Sequence, residues 1–112
     1  QIPHLVVKKD GRRERFDREK VLSRLIKACQ KRAVPVKTLE LIADRVESMV
    51  QESPDREVPT VQVGEFLMER LRELDKVAFV RFASVYRDFK DVDQFMATLK
   101  GLLDSTRDTS DR

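Results

Sequence analysis

Residues 5–21 constrain this chain more than any other stretch. Leu5-Val6-Val7-Lys8-Lys9 and Arg12-Arg13-Glu14-Arg15-Phe16 flank an Asp10-Gly11 pair. Apolar and β-branched residues around Asp-Gly predict two strands, over residues 4–9 and 12–16, joined by a two-residue type I′ turn. These are the only good strand candidates in the sequence. A lone hairpin is marginal in water, so the remaining chain must supply a surface for it. A helix opens directly behind: Asp17 can accept from the free amides of the first turn, and Phe16 can staple onto Val21. The chain therefore sets a basic hairpin against a helix N-terminus, and such an arrangement can hold a phosphate from two sides.

The rest reads as helices. Val21, Leu22, Leu25, Ile26 and Cys29 continue the first helix at helical period, and Ala33-Val34-Pro35 ends it. A second helix is expected over residues 38–50, with Leu39, Ile42, Ala43, Val46, Met49 and Val50 on one stripe. Residues 51–59 are polar with two prolines and read as a loop. Thr60 then caps a third helix carrying Val63, Phe66, Leu67, Leu71 and Leu74. Gly64 inside it costs roughly 1 kcal/mol against alanine, so a close backbone or ligand contact, or tight helix packing, has to explain it. The fourth helix, about residues 76–89, is apolar on most sides and so is placed at the centre of a bundle. A last helix, about 92–103, carries Phe95, Met96, Leu99, Leu102 and Leu103, more apolar surface than one small core needs. The expected fold class is α+β: a basic β-hairpin over a bundle of about four helices plus a C-terminal helix. Its expected divisions are residues 1–90, 91–104, and a disordered polar tail at 105–112.

Composition narrows the function classes. At 112 residues, with 40% hydrophobic and 38% charged residues, the chain suits one folded domain rather than a disordered segment. No apolar run approaches a membrane span and no signal-peptide pattern occurs, which points to the cytoplasm and to no membrane partner. The single cysteine, Cys29, excludes an internal disulfide and falls on an apolar helix face, as a buried structural thiol would. His4 has no partner at metal-ligand spacing. There is no Ser/His/Asp or Cys/His set, no Walker A pattern and no Gly-x-Gly-x-x-Gly turn, so an enzyme is not expected. Net charge is only +3, too small to announce a nucleic-acid binder by itself.

The hairpin holds the chemistry. Lys8 and Lys9 precede the turn, Arg12 and Arg13 follow it, and Lys20 sits in the first helical turn. Alternation along a strand sends Lys8 and Lys9 to opposite faces, so only part of this set can meet one ligand. Glu14 and Asp17 would repel phosphate, yet a base amino group or a ribose hydroxyl needs such acceptors. Cations at one end and acceptors at the other is the polarity of a nucleotide. The same lysines also suit a solvated strand edge kept from pairing, and Tyr86 suits a core aromatic with its hydroxyl at the boundary. On pattern alone both readings stand.

Residues 6–21 resemble the opening of an ATP-cone domain, the allosteric nucleotide-binding module of ribonucleotide reductases and of a bacterial repressor of their genes. Glu57-Val58-Pro59-Thr60 and the run from Leu74 to Phe89 resemble the repressor form, and the likeness covers residues 5–96 or so. It implies a sensor of ATP against dATP, with magnesium accompanying the phosphates. Val6, Lys8, Lys9, Glu14, Asp17, Lys20 and Thr60 match nucleotide-contacting positions, with Gly64 and Tyr86 as further matches. The resemblance implies Lys8, Lys9 and Lys20 on phosphates, and Val6, Glu14 and Asp17 nearer the base. Lys9 stands where the family commonly has arginine. The surplus apolar surface on Phe95, Met96, Leu102 and Leu103 adds the expectation of a homo-oligomer whose assembly, set by the nucleotide, controls DNA binding. The repressors carry a four-cysteine zinc ribbon before the cone, and the sequence from Gln1 onward has no such ribbon. The expectation is a cone plus C-terminal helix, either from a longer protein or from a variant without the ribbon. Zinc is therefore not expected in this chain, and DNA contact is expected through the ribbon of a longer protein. The alternatives are a cone from a reductase large subunit, a DNA-binding helical domain using Arg12, Arg13 and Arg15, or a plain interaction domain without a ligand.

Overall fold

A computed structural model describes residues 3–86 together with 93, 94, 96, 97 and 99–101. The elements run β1 (Leu5–Val7), β2 (Arg13–Arg15), α1 (Arg18–Ala28), α2 (Val36–Glu52), β3 (Glu57–Pro59), α3 (Thr60–Leu74) and α4 (Lys76–Tyr86). The architecture is α+β, with a small sheet laid against helices.

The hairpin forms, but with a different turn. Val7 pairs with Arg13, the Lys8 amide donates to the Arg12 carbonyl at 2.7 Å, and the Gly11 amide donates to the Lys8 carbonyl at 3.0 Å. The loop is thus Lys9-Asp10-Gly11, and within it only Gly11 takes positive φ, at 89°. This is the three-residue hairpin with glycine in the left-handed position, not the expected type I′ turn. The Asp10 carboxylate accepts from the Arg12 amide at 3.0 Å, a local bond that favours ordinary backbone at Asp10.

A third strand lies inside the expected loop. β3 pairs parallel to β1, Val6 opposite Val58, giving the order β2-β1-β3. The Ser53 hydroxyl donates to the Glu57 carbonyl at 2.6 Å and shapes the approach to β3. β1 is therefore central, and the hairpin is fixed to the helices through the strand that leads into α3.

Several helix ends differ from the expected ones. Asp17 caps α1 as anticipated, its Oδ1 accepting from the Lys20 amide at 3.3 Å. α1 stops at Ala28, however, rather than near residue 33. The Ala28 carbonyl, which a continuing helix would pass to the Arg32 amide, accepts from Arg81 instead, and Arg32 bonds back to Cys29. Pro35, whose φ of −64° suits a helix entry, occupies the cap of α2, which starts two residues early. Pro59 does the same for α3, so Thr60 is its first helical residue and makes no capping bond. The Asp75 Oδ1 accepts from the Ala78 amide at 2.9 Å and so begins α4.

The core is continuous. Leu25, Leu39, Val46, Val50, Leu71 and Phe79 are fully buried, and Phe16 and Val21 pack against them. Cys29 is buried there too, and desolvation pushes its thiol pKa up, as expected of a structural cysteine. α4 is not the centre of a bundle on every side: Ala78, Phe79, Phe82 and Ala83 are buried, whereas Val85 is 84% exposed. The described residues among 93–101 are helical, Met96 exposed and Leu99 packed on the core. Residues 87–92, Phe95, Leu102, Leu103 and the expected tail 105–112 lie outside the described residues.

Candidate functional site

The hairpin turn, the end of α1, the start of α3 and one face of α4 enclose an open cleft of about 1080 Å³. Lys8, Lys9, Asp10 and Arg12 line it from the hairpin. Arg24 and Lys27 reach it from α1, Lys31 from the following turn, Thr60 from α3, and Arg81, Phe82, Ser84, Val85 and Tyr86 from α4. Seven cations thus face one carboxylate. That carboxylate is already engaged, with Asp10 2.7 Å from Arg12, and the bond from the Arg12 amide holds its pKa below the usual carboxylate range.

The sequence-predicted residues fall into three groups. Lys8, Lys9, Thr60 and Tyr86 line the cleft directly. Glu14 and Lys20 join it at second hand: the Glu14 Oε2 lies 3.5 Å from the Lys8 Nζ and 4.0 Å from the Lys20 Nζ. Val6, Asp17 and Gly64 stand behind. Val6 is held in the sheet between Glu14 and Val58, and the Asp17 carboxylate caps α1. Gly64 is buried beneath Tyr86, and a Cβ there would overlap the Tyr86 ring.

Tyr86 has a defined setting. Its hydroxyl donates to the Val61 carbonyl at 3.2 Å, and its ring stacks on Phe82 with centroids 5.8 Å apart. The pair gives the cleft an aromatic floor on which a flat heterocycle can stack.

Arg24, Lys27, Lys31, Arg81 and Phe82 were not singled out as site residues from the sequence. A signal for three of them exists, since Arg24 and Lys27 recur at helical spacing on the polar side of α1 and Lys31 continues that spacing into the turn beyond it. Arg81 stands out only as a charge in an apolar run. Among the described residues, no group of three or more carboxylate, imidazole or thiol side chains comes together to hold a metal ion, and no helix is long and apolar enough to cross a membrane.

The family model described as ATP cone domain matches residues 4–92. The transcriptional repressor NrdR of Solibacter usitatus is 59% identical over 103 residues, covering 92% of this chain and 67% of that protein. The NrdR of Koribacter versatilis is 56% identical, covering 92% of this chain and 63% of its own length. That of Acidobacterium capsulatum is 52% identical over all 112 residues, 67% of its length. The chain thus spans about two thirds of the curated relatives it matches, and these relatives are repressors, not enzymes.

Proposed function

The chain belongs to the ATP-cone family and, within it, to the NrdR transcriptional repressors, and from that premise we propose that it is the nucleotide sensor of such a repressor. One observation carries the reading: a cleft with seven cations and a single, already engaged carboxylate suits a polyanion and little else.

In this proposal ATP and dATP occupy the cleft. Lys8 and Lys9 take phosphate oxygens, and Lys20 joins them once Glu14 releases it. Magnesium arrives with the phosphates. Phe82 and Tyr86 offer a face to the base, near Thr60 at the start of α3. Val6, Glu14 and Asp17 act towards the base and ribose, as the ATP-cone resemblance implies, and Gly64 seats Tyr86. Residues 1–90 form the sensor, 91–104 an assembling helix, and 105–112 a tail. The bound nucleotide sets the oligomer, and through it DNA binding by the full-length repressor in the cytoplasm. Linkage demands that ATP and dATP bind the assembled forms with different affinity.

The test is calorimetric titration with ATP and with dATP, for the wild type and Lys8→Ala, alongside sedimentation in each nucleotide state. Micromolar or tighter binding, weakened about tenfold or more by the substitution, is the expected result. Absence of heat with either nucleotide would sink the sensor. An identical sedimentation coefficient in all three states would sink the control of assembly alone.

A further inference from the structure

The α1 end of the cleft poses an electrostatic problem. A helix C-terminus carries unsatisfied carbonyl oxygens and the negative end of the helix dipole, both hostile to an anion. α1 ends at Ala28, which lines the cleft with Gln30 and Lys31. Arg81 covers this end: its Nη1 donates to the Ala28 carbonyl at 3.2 Å and to the Gln30 carbonyl at 2.7 Å.

The same turn is tied down a second time. The Arg32 Nε lies 3.1 and 2.9 Å from the two Asp75 carboxylate oxygens, at the start of α4. Between these two ties Lys31 adopts φ 60°. Left-handed backbone just past a helix end is the usual place for glycine or asparagine, and lysine is costlier there. No described side chain pairs with Lys31, yet it lines the cleft. The fold tolerates an unfavourable backbone to present an ammonium that serves nothing inside it.

We propose that the turn after α1 is a built anion-contacting wall, in which Lys31 touches the bound phosphates and Arg81 is the positioning residue that masks the α1 carbonyls. The identity of the ligand rests on the nucleotide-sensor reading, whereas the wall itself requires only a polyphosphate.

The experiment is calorimetry on the 112-residue chain with ATP, ADP, AMP and tripolyphosphate. It compares wild type, Lys31→Gly, Arg81→Met and Arg81→Lys, each also melted without ligand. Lys31→Gly is expected to melt at or above the wild-type temperature, because glycine relieves the backbone, while binding ATP about fivefold more weakly. Arg81→Met is expected to lose about tenfold for ATP and tripolyphosphate and progressively less for ADP and AMP, since bared carbonyls act on charge. Arg81→Lys should recover part of that loss. Wild-type affinity in Lys31→Gly for all four ligands would overturn the wall, as would an Arg81→Met loss equal for AMP and ATP. Should Arg81→Met fail to fold, Lys31→Gly decides. If the wild type takes tripolyphosphate but no nucleotide, the sensor reading falls and the wall is judged on tripolyphosphate. If it takes no anion, both fall.

Discussion

The two walls of the cleft carry similar numbers of cations and treat them differently. On the hairpin, Lys8 faces Glu14 and Arg12 is paired with Asp10, so that of its three cleft cations only Lys9 has no described carboxylate. On the helical wall, no described carboxylate pairs with Arg24, Lys27 or Lys31, and Arg81 is bound only to carbonyl oxygens. A cation already facing a carboxylate must exchange partners to meet a phosphate, whereas an unpaired one gains the whole attraction. The hairpin is contiguous in sequence and brings its own neutralising groups. The helical wall is assembled from α1, its turn and α4, and only packing decides which charges meet there. The recognisable motif and the less compensated charge therefore lie on opposite sides of one site.

The most severe way to break this comparison is to remove the packing that assembles the helical wall. Phe79→Ala empties a position 1% exposed in α4, and should destabilise the chain by about 3–5 kcal/mol in urea titration. A loss below about 1 kcal/mol would mean that α4 is not held by this core. Gly64→Ala acts on the aromatic floor alone. Its methyl collides with the Tyr86 ring, so a cost of about 2 kcal/mol is expected, with Tyr86→Leu in the same chain relieving part of it. Additive losses in that double variant would show that the two residues do not meet.

Asp75→Asn loosens the tie between the helical wall and the turn after α1. The bond from the Ala78 amide, followed by the Arg32 pair, holds the Asp75 pKa below the usual carboxylate range. A depressed folded-state pKa stabilises above the unfolded value and is lost as pH falls through the folded one. The wild type should therefore weaken progressively below about pH 4, and the variant should show less of that acid slope. At neutral pH the variant should lose about 1 kcal/mol as its cap weakens. An unchanged acid slope would remove Asp75 from the account. The mildest change sharpens the comparison from the other side. Glu14→Gln frees Lys8 and Lys20, so it should alter stability by less than about 0.5 kcal/mol while raising tripolyphosphate affinity. Unchanged affinity would mean that pairing on the hairpin does not restrain its lysines.

Legibility in the sequence followed the range of the interactions. Asp17, Phe16 and Val21 announce the start of α1 because capping and stapling act within one turn. Asp10-Gly11 announces a hairpin, although the third loop residue, Lys9, depends on where the Arg12 carbonyl finds its donor. β3 was hidden, since Glu57-Val58-Pro59 contains a proline and becomes a strand only by meeting β1. The ends of α2 and α3 were misplaced because Pro35 and Pro59 occupy their cap positions without any capping side chain. Arg81 was visible as an isolated charge, but its partners sit at the end of α1 and in the turn after it, and nothing local to residue 81 names them.

The position of β1 between its two neighbours has a consequence for the order in which the molecule is built. Its ladder with β2 closes over a three-residue loop and can form within microseconds. Its ladder with β3 must wait until α1 and α2 have brought Val58 back to Val6, a far longer closure. A newly made chain therefore samples its lysine-bearing turn early, but holds it only when the strand and helices that build the cleft arrive.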